Sequence, residues 1–209
     1  MSTNDPRSTS ATATSDRLLD TAEFLFARSS IAAVTTREIV ERAGQRNVSS
    51  ISYYFGSREG LLSALLARRG FIVDAERGRL RSEIMDSPTI KELIECLVIP
   101  LTDLLHSPEG RSYIRIVAQL RGKFAYWRGE SDASSARNML AILEEIEGIP
   151  KLSTAMRAER VVSMIMLMTS STGERARRLD EESGDEAHEL SHSDYVTNLT
   201  AMCTAVLTA

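Results

Sequence analysis

Two helix starts, each closed by a glycine stop, constrain this chain more than any other feature. Thr35-Thr36-Arg37-Glu38 fits a capping box, with Thr35 as cap and Glu38 three residues on. Val34 and Ile39 stand where a hydrophobic staple would place them. The helix so started runs to Ala43 and stops at Gly44, a residue suited to a left-handed C-terminal position. After the polar turn Gln45-Arg46-Asn47-Val48, Ser49 to Phe55 forms a brief helix ending at Gly56. Ser57-Arg58-Glu59 then starts a helix that continues through Leu61, Leu62, Leu65 and Leu66 toward Arg81. Ahead of them, Leu18, Ala22, Leu25 and Phe26 form the apolar face of a helix near residues 15–29, with Ser15 and Asp16 at its start. This local grammar predicts a helix-turn-helix from roughly Thr35 to Phe55, with a supporting helix on each side.

The rest of the chain repeats helical spacing and offers no convincing alternating strand. Ser87-Pro88 and Ser107-Pro108 each combine an N-cap with proline at the first helical position, which predicts helices near 88–105 and 108–121. The first of these should bend at Pro100. Further helices are predicted near 131–147, 153–179 and 191–207, with an acidic loop from Asp180 to Glu186 before the last. The expected architecture is all-α, with about nine helices. Residues 1–14, rich in Ser, Thr and Ala, are expected to be a disordered tail. Residues 15–62 would be a helix-turn-helix domain, and 63–209 a helical bundle.

Taken together, Thr36-Arg37-Glu38-Ile39-Val40-Glu41-Arg42-Ala43-Gly44 and Ile51-Ser52-Tyr53-Tyr54-Phe55-Gly56-Ser57-Arg58-Glu59-Gly60-Leu61-Leu62 closely resemble the N-terminal signature of the TetR family of transcriptional regulators. The resemblance covers about residues 15–70; beyond it, only helix count, helix order and a long apolar final pair are similar. It implies DNA binding by Thr36, Ser50, Ser52, Tyr53, Tyr54 and Arg58, the last standing where the family usually has a phosphate-contacting Lys. Arg37, Arg46 and Ser49 complete the candidate DNA-binding set. Short hydroxyl and aromatic groups suit a major groove about 12 Å wide, whereas Ile51 and Phe55 can anchor the inner face. The turn is one residue longer than the common family form, which leaves the roles of Ser49 and Ser50 unassigned. Tyr54 stands where His is common, and Ser52 where Tyr is common. Tyr54 is read equally well as core or as DNA contact, and Phe55 chiefly as core.

Charge distribution agrees with a DNA-binding head. The net charge is −4, yet Ser15–Arg81 holds 11 Arg against 8 acids, while Ser82–Ala209 holds 13 basic residues against 20 acids. In the last helix Tyr195, Leu199, Met202, Cys203 and Val206 form one stripe, and Val161 to Met168 is apolar on more than one face. Such a pair fits a homodimer interface of Val162, Ile165, Tyr195, Leu199, Met202 and Val206, although an intrachain core would show the same pattern. A small, largely apolar effector would lie among Leu101, Leu104, Ile116, Leu120, Phe124, Trp127, Met139, Leu143, Met164 and Met168. These residue types at this spacing also suit plain core.

The expected function is a homodimeric repressor, released from a palindromic double-stranded operator by that effector. An effector-independent dimeric regulator or activator is the alternative, and an all-helical enzyme comes last. The sequence shows no nucleophile–base pair or metal cluster, so neither enzymatic activity nor a cofactor is expected. His188 and His192, four apart beside Asp185 and Glu189, have metal-ligand spacing, but a cap at Ser191 would break their shared face, so no metal site is expected. His106, alone near a helix end, is explained by the helix dipole. Two cysteines without close spacing, no apolar run of about 18 residues and no signal-like N-terminus predict a cytoplasmic protein with no membrane partner.

Overall fold

The computed structural model describes residues 6–120, 136–148, 152–181 and 190–209. They form nine α-helices and one 3-10 turn, and no strand occurs among them. The chain divides into two compact units, Met1–Arg68 and Arg69–Ala209, against an expected boundary near 62.

The first unit contains α1 (Pro6–Arg28), α2 (Thr36–Arg42), α3 (Ser49–Phe55) and the first part of α4 (Arg58–Ser82). Helix α1 begins well before the Ser15–Asp16 start predicted for it, so residues 6–14 are helical rather than an unfolded tail. Proline suits a first helical position, and the Ala, Ser and Thr residues that follow cost little in a helix already anchored at Leu18. Residues 1–5 of the expected tail lie outside the described residues. Leu18, Ala22, Leu25 and Phe26 are buried as their spacing predicts, with Val34, Ile39, Val40, Ile51, Leu61 and Leu65. Thr35 caps α2 by accepting from the Glu38 N–H at 3.2 Å. Arg68 ties α4 to α1 through Asp20 at 2.7 Å and through the buried carboxylate of Glu23.

The second unit comprises the remainder of α4, α5 (Ile90–Asp103), the 3-10 turn Leu104–His106, α6 (Pro108–Leu120), α7 (Arg137–Gly148), α8 (Thr154–Asp180) and α9 (His192–Thr208). Helix α5 is capped by Thr89 rather than Ser87. Glu92 completes a reciprocal box with Thr89, accepting from its N–H at 2.8 Å, and satisfies two otherwise free donors where a Ser87 cap would satisfy one. Ser107 accepts from Gly110 N–H at 3.0 Å at the start of α6, as predicted. Pro100 lies inside α5. The core of this unit gathers Leu93, Leu97 and Leu101 of α5, Ile142 and Leu143 of α7, Met164 and Met168 of α8, and Tyr195, Leu199 and Cys203 of α9. Gly173 on α8 has no Cβ because Ala118 of α6 occupies that space, 2.5 Å from where one would stand. Ion pairs join helices around the core, with Arg81–Glu145 at 2.7 Å and Arg111–Asp180 at 2.6 Å.

Candidate nucleic-acid interface

The start of helix α3 is organised by Asn47. Its side-chain oxygen accepts from the Ser49 N–H at 3.0 Å, and its carbonyl accepts from the Ser50 hydroxyl at 2.6 Å. This turn, in which the side chain of one residue holds the start of the next helix, absorbs the longer connection before α3 begins. An Asn two residues ahead of a Ser-Ser pair is the signal that could have found it. It also separates the two serines whose roles the sequence left open. Ser49 is exposed, while Ser50 is half-buried with its hydroxyl turned back on the chain.

Ile51 is the one buried residue of α3, and Ser52 and Tyr53 face outward. The Tyr53 ring is 79% exposed and stands edge-on to Tyr54, with centroids 4.9 Å apart and planes at 88°. Tyr54 and Phe55 are both half-buried, so Phe55 is less enclosed than a core assignment implies. Gly44 and Gly56, at φ +70° and +74°, end α2 and α3 in the left-handed region that other side chains adopt at a cost.

On α2, Thr36 is half-buried, and exposed Arg37 pairs with Glu41 at 2.7 Å, which raises the guanidinium pKa above its usual value. Arg46 is exposed in the turn. Phe24 lies under two further cations, Arg28 at 4.0 Å and Arg42 at 4.5 Å from its ring centroid. Neither arginine was singled out from the sequence, because the Phe24 contact joins α1 to α2.

Arg58 lies differently from the phosphate contact that the resemblance implies. Its guanidinium donates to the carbonyl oxygens of Ile31 and of Val34, the latter at 3.0 Å, and sits 5.4 Å from the Phe26 ring. There it clamps the α1–α2 connection from the start of α4.

In the second unit, Leu101, Leu143, Met164 and Met168 of the expected effector set belong to the buried core, with Leu104 and Met139 packed against it. Ile116 is buried and Leu120 half-buried, while Phe124 and Trp127 lie outside the described residues. Elsewhere Ile146, Glu147, Leu152, Arg157, Arg160, Val161 and Leu207 line a shallow surface depression with no enclosed room for a water molecule. Both arginines there donate to carbonyl oxygens, Arg157 to Glu147 at 2.8 Å and Arg160 to Leu207 at 3.0 Å.

Of the expected dimer residues, Ile165, Tyr195 and Leu199 are already covered by this chain, Leu199 completely. A fully covered side chain has no surface left to give a partner. Val162, Met202 and Val206 retain exposed area, and Met166, not predicted, is 42% exposed beside them on α8.

The fold and sequence have known counterparts. The family model described as "Bacterial regulatory proteins, tetR family" matches residues 18–65. A crystal structure from Rhodococcus sp., titled as a TetR-family transcriptional regulator, aligns over 93% of this chain and 98% of its own, at 21% identity and TM-score 0.53. A structure from Vibrio parahaemolyticus, titled as a transcriptional regulator TetR family protein, aligns over 92% and 97%, at 16% identity and TM-score 0.48. No curated protein matches the chain. No helix among the described residues is long and apolar enough to cross a membrane. Residues 18–65 are thus a TetR-family helix-turn-helix, carried on an all-α chain of TetR-like fold.

Proposed function

We propose that this chain is a cytoplasmic, homodimeric transcriptional repressor that binds a palindromic operator and leaves it when a small apolar molecule binds the bundle. The observation that carries the DNA-binding part is the outward face of α3. Ser49, Ser52 and Tyr53 stand exposed on a helix anchored by Ile51, within the segment that matches the family. Hydroxyl and phenol groups on such a face can reach base edges and phosphates. Arg37 and Arg46 supply nearby positive charge, and Arg58 acts first by holding the frame.

Dimerisation is supported by the apolar surface left on α8 and α9 at Val162, Met166, Met202 and Val206. Two copies related by a twofold axis would present two α3 helices to half-sites about one DNA turn apart. Effector release requires the ligand to favour a bundle conformation that binds DNA less well, by its differential affinity for the two states. Helix α4, which runs across the boundary between the units, is the element available to carry that coupling.

A second reading, a dimer that regulates without an effector, is favoured by the burial of Leu101, Leu143, Met164 and Met168 in one core cluster. The experiment is footprinting on the DNA flanking the protein's own gene, followed by a metabolite screen for release. A protected palindrome whose affinity falls steeply with salt supports the DNA-binding reading. Absence of binding to any DNA overturns it, and an operator complex that no metabolite weakens favours the second reading.

A further inference from the structure

Away from α3 and the bundle core, three side chains with metal-ligating donors meet where the end of α5 approaches the start of α9. Asp103 is the last residue of α5, His106 ends the 3-10 turn, and His192 is the first residue of α9. One donor atom from each lies within 4.8 Å of the others. The two imidazole rings are 4.2 Å apart between centroids, tilted by 44°, and His192 Nε2 is 3.7 Å from Asp103 Oδ1. We propose that Asp103, His106 and His192 form a binding site for a divalent transition-metal ion of the zinc type, which links the end of α5 to the first turn of α9.

The donor set carries the choice of ion. Two imidazole nitrogens and one carboxylate oxygen suit zinc and its neighbours, whereas calcium and magnesium take oxygen-rich sites. Bonds of about 2.0–2.2 Å would require the three donors to close together by roughly 1 Å. Rotation of the Asp103 and His106 side chains, both exposed, can supply that movement. Three protein ligands leave a fourth position for water or a ligand.

The frame around the donors is held in place. Ser191 caps α9 by accepting from the Asp194 N–H at 3.1 Å, and so fixes the backbone of His192. Arg111 donates to the Leu105 carbonyl at 3.0 Å, which holds the 3-10 turn before His106. Burial first, and then the neighbouring His106, hold the His192 pKa below the ordinary histidine range, while Asp103 opposes them. Arg175 adds positive charge nearby, which the Asp103 carboxylate counters.

The test is calorimetric titration of the full chain with Zn²⁺, with thermal denaturation in parallel. One Zn²⁺ per chain is expected, with Tm rising by roughly 5–10 °C at a hundredfold excess over Kd and falling back with chelator. His106→Ala and His192→Gln should each weaken binding on the order of a hundredfold, and Asp103→Asn at least about tenfold. Far-UV circular dichroism of the metal-free variants should overlay that of the parent. His188→Ala, which removes the remaining histidine, should bind as the parent does. Three results would overturn the site: no saturable binding by the parent, unchanged affinity in the His106→Ala/His192→Gln double variant, or loss of binding in His188→Ala.

Discussion

The carboxylate of Asp74 on α4 holds the start of α7 through Asn138, accepting from its backbone N–H at 2.9 Å and from its side-chain amide at 3.1 Å. The same carboxylate accepts from the Met139 N–H at 2.9 Å and faces Arg77 at 3.9 Å. A residue on one helix therefore caps another. Burial lowers the Arg77 guanidinium pKa from its usual value, while Tyr113 and Asp74 oppose the shift. Asp74→Ala removes the cap and leaves a buried cation without its carboxylate, so a loss of about 3–5 kcal/mol is expected. Asp74→Asn, which keeps one acceptor, should lose less. Chemical denaturation measures both, and equal losses would show that the charge accounts for the whole effect and the remaining acceptor for none.

Arg58→Ala should destabilise the first unit by about 2 kcal/mol, because the carbonyls of Ile31 and Val34 lose a charged donor in a half-buried setting. Arg58→Lys should recover part of this, since an ammonium cannot reproduce the planar fork. A variant as stable as the parent but weaker on DNA would instead make Arg58 a phosphate contact alone.

Tyr53→Ala should leave stability within about 0.5 kcal/mol, since the ring is exposed, yet weaken operator binding by about 1–3 kcal/mol. Arg46→Ala should lower affinity on all DNA sequences alike and reduce the salt slope by about one. Gel-shift titrations at several salt concentrations distinguish the two behaviours. Loss of folding in Tyr53→Ala would move that residue from the interface to the core.

Met166→Glu should shift the chain from dimer to monomer in sedimentation without unfolding it, because the side chain is already partly exposed in a single copy. Glu at Leu199, which is fully covered, should unfold the chain instead. A dimer unaffected by Met166→Glu would place the interface elsewhere.

Burial pushes the Cys203 thiol up to about 12, and the Cys96 thiol is raised chiefly by burial, with Arg81 opposing. A thiol held protonated in the fold contributes stability that is complete below the ordinary thiol range. That contribution is lost as pH rises through the folded value, so stability should decline on the alkaline side as pH climbs toward 12. Both thiols should resist alkylation in the folded chain and react once it is unfolded. Rapid labelling of Cys203 under native conditions would show that α9 opens.

Local features were legible in the sequence because their physics is local. Thr35 with Glu38, Ser107 with Pro108, and the cap at Ser191 each act within one helical turn, and all three stand where they were expected. The miss at Ser87 was a contest between two good caps, decided by where Glu92 could reach back. Long-range partners were not legible. Nothing near Arg58 in the chain announces the carbonyls of Ile31 and Val34, and nothing near Asp74 announces Asn138. His192 was weighed against His188, its neighbour in sequence, while the fold pairs it with His106. The apolar stripe of α9 revealed which face is covered, but not whether this chain or a second copy covers it.

Bracketed by the left-handed joints at Gly44 and Gly56, and seated by buried Ile51 with Tyr54 and Phe55 half-buried, α3 behaves as an exchangeable cartridge. Its outward residues can be rewritten without disturbing the socket, because the socket depends on Asn47, Ile51, Tyr54, Phe55 and the two glycines. Divergence toward a new operator would thus proceed through Ser49, Ser52 and Tyr53. A library randomised at those three positions should retain folded members that prefer different half-sites.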